Sequence, residues 1–296
     1  MDKSTQRGSL EMVAAMLISG TIGWLVLVSG QAVPDVVFWR CAFGALTLLV
    51  ICAVMGFLRP GLITRNTFLL IVLSGVAIVA NWVLLFASFS RASIAISTAV
   101  YNVQPFILIG LAALFLGEKI TLQKLAWLVV SFVGMLAIVS AHTEQGESGR
   151  AYLQGIALAL GAALMYAVAA LIIKRLKGVP PHLIALIQVS TGVLLLAPMA
   201  NFSELPSDVQ TWGYLVTLGV VHTGLMYVLL YGAIQKLPTV LFGVLTFIYP
   251  IAAIFVDWFA FGHRLEMQQW VGVAAILLAA AGIQLGWRFG GRRVVV

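Results

Sequence analysis

Residues 101–120 read YNVQPFILIGLAALFLGEKI, and residues 246–265 read TFIYPIAAIFVDWFAFGHRL. Laid one on the other at an offset of 145, Pro105 falls on Pro250, Gly117 on Gly262, Lys119 on Arg264 and Ile120 on Leu265. The offset is close to half of the 296-residue chain. Each copy is apolar over about the 20 residues that a helix needs to cross a bilayer, and each carries a proline near its middle. The chain reads as one membrane unit written twice.

Composition agrees. Hydrophobic residues make up 62% of the chain and charged residues 9%, against roughly 25% charged in a soluble domain. Such a surface is wetted by lipid. The net charge of +7 would raise the question of nucleic acid in a soluble protein. Here the basic residues sit between apolar runs and at the two ends, where they read as topology signals and as attraction to anionic lipid. Cys41 and Cys52 lie in one apolar run, about 16 Å apart along a helix. That is too far for a disulfide, which needs Cα atoms within about 7 Å. No Cys/His cluster has metal-ligand spacing, so no metal and no cofactor is expected.

Ten apolar segments follow, at roughly 10–29, 34–57, 67–90, 94–116, 122–140, 152–174, 181–198, 211–233, 238–261 and 268–288, by length and apolarity. The first follows Lys3 and Arg7 and is read as a retained spanning helix rather than a signal peptide. Turn residues punctuate the connections, as in Arg59-Pro60-Gly61, Gly178-Val179-Pro180-Pro181 and Leu237-Pro238. The repeat extends to FASFSR at 86–91 against YGAIQK at 231–236, and to Gln123 against Gln268. The expected organisation is a first five-helix repeat over 1–141, a linker over 142–151, and a second repeat with a short basic tail over 152–296. Five is odd, so the two repeats enter the membrane from opposite sides. The expected fold class is therefore an all-α polytopic membrane protein with ten transmembrane helices as two inverted five-helix repeats around a central cavity.

The charges fit that count. Ten spans place Lys3, Arg7, Arg59, Arg65, Lys119, Lys124, Lys174, Arg175, Lys177, Lys236, Arg288, Arg292 and Arg293 on one side, and Arg40, Arg91, Arg150 and Arg264 on the other. The positive-inside rule then places both termini in the cytoplasm.

The mid-segment proline, the LGEKIT ending at 116–121, the FASFSRAS stretch at 86–93 and the five-plus-five repeat resemble the EamA family of the drug/metabolite transporter superfamily. The resemblance covers essentially the whole chain. The second copy, FGHRLE at 261–266, departs from the family pattern, with His263 where a glutamate is usual. Within the family, ANWVLLFASFSRASIAISTAVYNVQPF at 80–106 is most similar to YddG-type exporters of aromatic amino acids. The resemblance implies an inner (plasma) membrane exporter with a central cavity.

Polar and aromatic residues at mid-depth tend to face the bundle interior. The candidate substrate-binding residues are Trp24, Asn81, Trp82, Phe86, Tyr101, Asn102, Tyr166, His222 and Tyr227. Asn81, Tyr101 and Asn102 can hydrogen-bond an ammonium or a carboxylate, and the aromatic rings can pack a flat side chain or hold a cation. Each residue also has a plainer reading as helix-to-helix glue. Pro105 and Pro250 are expected to kink their helices. Arg40, about 9 Å into its segment, and Asp257, about 6 Å from the end of its own, are expected on the outer side, as a pair or as part of a gate. Asp35 competes for Arg40.

No Lys or Arg is expected near the midplane, so a phosphorylated substrate lacks its fixed cation. A zwitterion or neutral amphiphile fits better. Of the mid-depth residues, His222 alone titrates near neutral pH. Both an uncoupled and a proton-coupled carrier are open. An enzyme is disfavoured because His142, His182, His222 and His263 have no acidic partner at useful spacing. A channel is disfavoured because no filter motif is visible. Gly282 and Gly286 form a G-x-x-x-G that serves either a homodimer or packing within the bundle.

Overall fold

The computed structural model describes residues 3–59, 61–117, 121–141, 147–173, 175–176, 178–237, 245–246 and 248–287. Pro60, Glu118, Lys119, residues 142–146 of the expected linker, Pro238 and the basic tail lie outside the described residues.

Among the described residues there are helices and no strand. They are α1 (Lys3–Gly20), α2 (Ile22–Val28), α3 (Val33–Val54), α4 (Arg65–Ala92), α5 (Ile94–Tyr101), α6 (Gln104–Leu116) and α7 (Leu122–Ala141). Then come α8 (Glu147–Ile173), α9 (Pro181–Leu196), α10 (Val209–Gly219), a π-helical turn over Val220–Leu225, α11 (Met226–Lys236), α12 (Ile248–Phe261) and α13 (Met267–Gln284). α8 begins at Glu147, so the latter half of the expected linker is helix.

Among the described residues, six helical stretches are long and apolar enough to cross a membrane: Lys3–Val28, Val33–Val54, Arg65–Ala92, Ile94–Phe115, Gly149–Ile173 and Val209–Leu230. Shorter apolar helices cover Leu125–Ala137, Pro181–Leu196, Ile248–Phe261 and Met267–Gly282. Large apolar side chains point outward. Phe259 is 90% exposed and Leu194 77%, an arrangement that only a lipid solvent favours.

Helix ends follow local chemistry. The Thr64 hydroxyl accepts from the Thr67 N–H to open α4, at 3.2 Å, and the Asp208 carboxylate accepts from the Thr211 N–H to open α10, at 2.7 Å. Gly117 and Gly262, paired by the repeat, both lie at positive φ (+67° and +69°) and end α6 and α12. That left-handed position costs glycine nothing. The bond from Thr211 holds the Asp208 carboxyl below its ordinary value of 3.8. A lowered folded-state value contributes stability above the unfolded value, which is lost as pH falls below about 4. Asp208→Ala is therefore expected to lower the thermal midpoint at pH 6. The gap to wild type should close at pH 3, and a gap unchanged with pH would assign the loss to something other than the carboxylate.

Segments one, four and eight are interrupted helices. α1 and α2 meet at Thr21, α5 and α6 are separated by Asn102-Val103, and the π turn divides α10 from α11. The kink expected at Pro105 is instead a restart. The proline sits in the first turn of α6, where a missing N–H leaves no bond unmade. Pro250 likewise occupies the first turn of α12.

The short helix α5 is the centre of the packing. All of its residues, Ile94 to Tyr101, are buried, and it packs against α4, α8, α12 and α13. α4 runs along α8 and α9, α3 along α9 and α10, α1 along α11 and α12, and α7 along α13. Midway along α1, the Glu11 carboxylate accepts from Lys236 Nζ, at the end of α11, at 2.5 and 2.7 Å. The G-x-x-x-G is used internally. The Trp127 ring of α7 fills the space at Gly282, and Gly286 ends the helix at φ +64°.

Candidate functional site

A cavity of about 550 Å³ lies between the interrupted helices, within the 300–1,000 Å³ usual for small-molecule sites. Seven expected binding residues line it: Asn81, Trp82 and Phe86 from α4, Tyr101 and Asn102 at the break in segment four, Tyr166 from α8 and Tyr227 from α11. Pro105 lines it as well. The Tyr101 and Tyr166 rings meet edge to face at 5.9 Å.

The repeat is written into the lining. Five pairs of positions 145 residues apart all face the cavity: Asn81 and Met226, Trp82 and Tyr227, Leu85 and Leu230, Tyr101 and Thr246, Gln104 and Tyr249. Of these, Tyr249 was missed by sequence reasoning, although its alignment with Gln104, one residue before the paired prolines, was the available signal.

Arg40 belongs to this cavity and not to an outer ion pair. Its Nε donates to Thr223 Oγ1 at 3.0 Å, and its guanidinium lies 4.2 Å from the Trp82 ring centroid and 5.5 Å from that of Phe86. The side chain is 2% exposed. The expected partners are engaged elsewhere. One Asp257 oxygen accepts from the Ala95 N–H at 2.9 Å, and the other is 2.9 Å from His263 Nδ1. Asp35 accepts from the Asn201 N–H at 2.7 Å. The expectation that the substrate site lacks a fixed cation is thereby corrected. Distance along a helix gives neither its rotation nor how far a cavity reaches along it.

Asp257 has a structural task instead. The chain turns sharply at Ser93 (φ +63°), and the next helix, α5, starts with buried N–H groups. The Ser93 hydroxyl accepts from Ile96 N–H and the Asp257 carboxylate from Ala95 N–H. Asp257→Ala leaves that N–H buried without an acceptor, at a cost of about 1–3 kcal/mol. The expected result is a lower thermal midpoint, with Asp257→Asn recovering most of it. Equal losses in both variants would show that the oxygen on Ala95 is not what matters.

Two other candidates lie off the cavity wall. Trp24 packs edge to face on Tyr214 at 6.2 Å. Its neighbours Ile22 and Gly23 face the cavity, and successive residues turn by about 100° around a helix. His222 is held at both ring nitrogens, with Nδ1 3.1 Å from Thr217 O and Nε2 2.9 Å from Thr21 Oγ1. The carbonyl can only accept, so Nδ1 carries the hydrogen. The Thr223 hydroxyl repeats the pattern by donating to Leu218 O, also five residues back, at 3.1 Å. His222 thus ties the π turn to the break between α1 and α2, and Thr223 ties it to Arg40. Pro250 is buried beside the cavity residue Tyr249.

Among the described residues, three buried oxygens in the lining make no hydrogen bond of good geometry: Asn81 Oδ1, Thr98 Oγ1 and Gln104 Oε1, with Tyr101 beside Asn81 and Tyr249 beside Thr98. The orientation of Asn81 is fixed, because its Nδ2 donates to the Ala162 carbonyl at 2.8 Å. Buried polar atoms are normally satisfied, and these three all face the cavity. Among the described residues no group of His, Cys, Asp and Glu has the arrangement to hold a metal.

Interrupted apolar helices around a mostly apolar cavity with a few polar groups define a multi-pass membrane transporter of small molecules. Residues 6–140 and again 153–285 match the EamA-like transporter family, and the chain belongs to that family. It is 28% identical over 280 residues to the uncharacterized transporter YxxF of Bacillus subtilis (strain 168), covering 94% of this chain and 90% of that one. It is 26% identical over 287 residues to an uncharacterized transporter of Archaeoglobus fulgidus, covering 95% and 96%. A solved crystal structure shares the fold, with a TM-score of 0.62, 18% identity, and coverage of 94% of this chain and 96% of that one.

Proposed function

We propose that this transporter exports amino acids, aromatic and other neutral ones, or similar small neutral metabolites, across a bacterial-type inner membrane by alternating access. The observation that carries the reading is the cavity lining, which combines aromatic rings with buried oxygens that make no hydrogen bond of good geometry among the described residues. Trp82, Tyr101, Tyr166 and Tyr227 offer faces and edges for a flat side chain. Asn81 Oδ1 and Gln104 Oε1 offer neutral oxygens for an ammonium. Among the described lining residues there is no carboxylate, so a bare amine lacks a counter-charge.

The five repeat-paired lining positions support two inverted five-helix halves, over 1–141 and 152–296, that form ten spans. Helices that restart beside the cavity are the sites that transporters of inverted-repeat design use for substrate. The basic-residue bias supports cytoplasmic termini. The similarity at 80–106 supports the aromatic subtype.

The test is uptake of radiolabelled phenylalanine, tryptophan, threonine and a dipeptide into proteoliposomes with no ion gradient. The expected result is saturable uptake of the aromatic amino acids with trans-stimulation by unlabelled substrate. Uptake that appears only with an outward pH step identifies the proton-coupled form. No uptake in either condition by folded protein would sink the amino-acid reading.

A further inference from the structure

We infer that Arg40 is the cavity's anion anchor and that the transported molecule presents a carboxylate to it. The inference deepens the proposed function and rests on that reading for the choice of amino acids, while the demand for an anion rests on Arg40 itself. A guanidinium has five N–H donors in a planar fork. In Arg40 the Nε–H is used by Thr223, and among the described residues the side chain makes no other hydrogen bond, with the tyrosines Tyr227, Tyr249 and Tyr101 around it. Its ring contacts with Trp82 and Phe86 stabilise a cation without neutralising it.

Among the described residues no Asp or Glu lies within ion-pair distance of Arg40. A buried charge without a counter-ion is costly, and ionisable groups kept inside a membrane protein mark substrate pathways. A purely packing role would be met at lower cost by an apolar side chain. The surroundings hold the fork in place, with Thr223 fixing Nε from the π turn and the guanidinium carbon over the Trp82 ring. A planar, pre-positioned fork is matched to a carboxylate, which it binds through two parallel hydrogen bonds. Asn81 and Trp82 are neighbours on α4, so the acceptor for a substrate's donor and the ring beneath the anion site come from adjacent residues.

The experiment compares molecules of one shape that differ in charge. Purified protein in detergent is titrated with 3-phenylpropionate against 3-phenylpropionamide, and with phenylalanine against phenylalaninamide, and binding is read as thermal stabilisation. Wild type is expected to bind each acid at least about tenfold more tightly than its amide, the difference that a hydrogen bond to a charged group carries. Arg40→Gln should bring acid and amide within about twofold of each other. Arg40→Lys should keep part of the preference. If Arg40→Gln does not fold, the wild-type and Arg40→Lys titrations decide. Amides that bind as well as acids would overturn the anchor. So would a preference that survives in Arg40→Gln, or no binding by either member of a pair. Preference for 3-phenylpropionate without transport of any amino acid would keep the anchor and remove the amino-acid reading.

Discussion

Gly219→Leu is expected to lower the thermal midpoint of the purified protein by about 5–10 °C and to abolish transport. Gly219 ends α10 where it crosses α3. A Cβ there would meet the Phe43 side chain and lie 2.9 Å from the Gly44 backbone nitrogen. The obstacle includes backbone, so rotamer changes cannot relieve it. The surroundings repeat the design. A Cβ on Gly44 would lie 2.8 Å from the Thr223 methyl, and the Thr47 side chain fills the space at Gly224. Small residues at such crossings let membrane helices approach closely. Overpacking costs about 1–3 kcal/mol, and each kcal/mol is worth about 2–4 °C in a large domain. Function should fail as well, because the same crossing sets the distance between Thr223 and Arg40. Gly213→Leu is the control. That glycine lies earlier in α10 with open space at its Cβ position, and the substitution should leave the midpoint within about 1 °C. Equal losses at both glycines would indicate that α10 tolerates no leucine anywhere, and the close-crossing explanation would go.

The duplication, the apolar segments and the cavity position of seven of the nine candidate binding residues are legible in the sequence because they depend on periodicity and polarity. A polar or aromatic side chain deep in an apolar segment has few places to go other than the interior. The alignment at 145 also carried more than the paired prolines, since it pairs Trp82 with Tyr227 and Gln104 with Tyr249 across one cavity. What was not legible depends on rotation about a helix and on breaks within it. Counting residues placed Arg40 near a surface, but counting does not show that its side chain faces Trp82. Trp24 was expected in the cavity because its depth is right, yet the inward face of α2 is occupied by Ile22 and Gly23. Pro105 looked like a kink because the segment is apolar on both sides. The interruption actually lies at Asn102-Val103, where the Asn102 side chain donates to the Thr98 carbonyl at 2.7 Å. A π turn such as that at Val220–Leu225 has no composition that sets it apart from an α-helix. Its effect is nevertheless decisive, since it ties His222 to Thr21 and brings Thr223 to Arg40.

Trp82→Ala is expected to raise the KM for the transported substrate by about tenfold or more while turnover changes little. Two losses combine in that number. The indole is part of the cavity wall, and an aromatic contact of this kind is worth about 0.5–1.5 kcal/mol beyond the area it buries. It is also the face over which the Arg40 guanidinium rests at 4.2 Å, and a desolvated cation–π contact is worth about 2 kcal/mol. The aromatic contact together with the ring area it buries exceeds the 1.4 kcal/mol that makes a factor of ten in binding. That contact acts on the bound state, so its loss falls on KM rather than on the conformational steps that set turnover; the Arg40 contact is present without substrate as well, and its loss reaches KM by leaving the guanidinium less well placed for the substrate. Trp82→Phe retains a ring face for the arginine and for the substrate, and should cost only a few-fold. Because the two residues touch, Trp82→Ala combined with Arg40→Lys should cost less than the product of the single effects. A structural account in which Trp82 merely fills space predicts something different: an alanine variant of lower thermal midpoint but ordinary KM. It also predicts two effects that multiply independently. The KM of Trp82→Ala and the double variant together separate a ring that serves the substrate from one that serves only the fold.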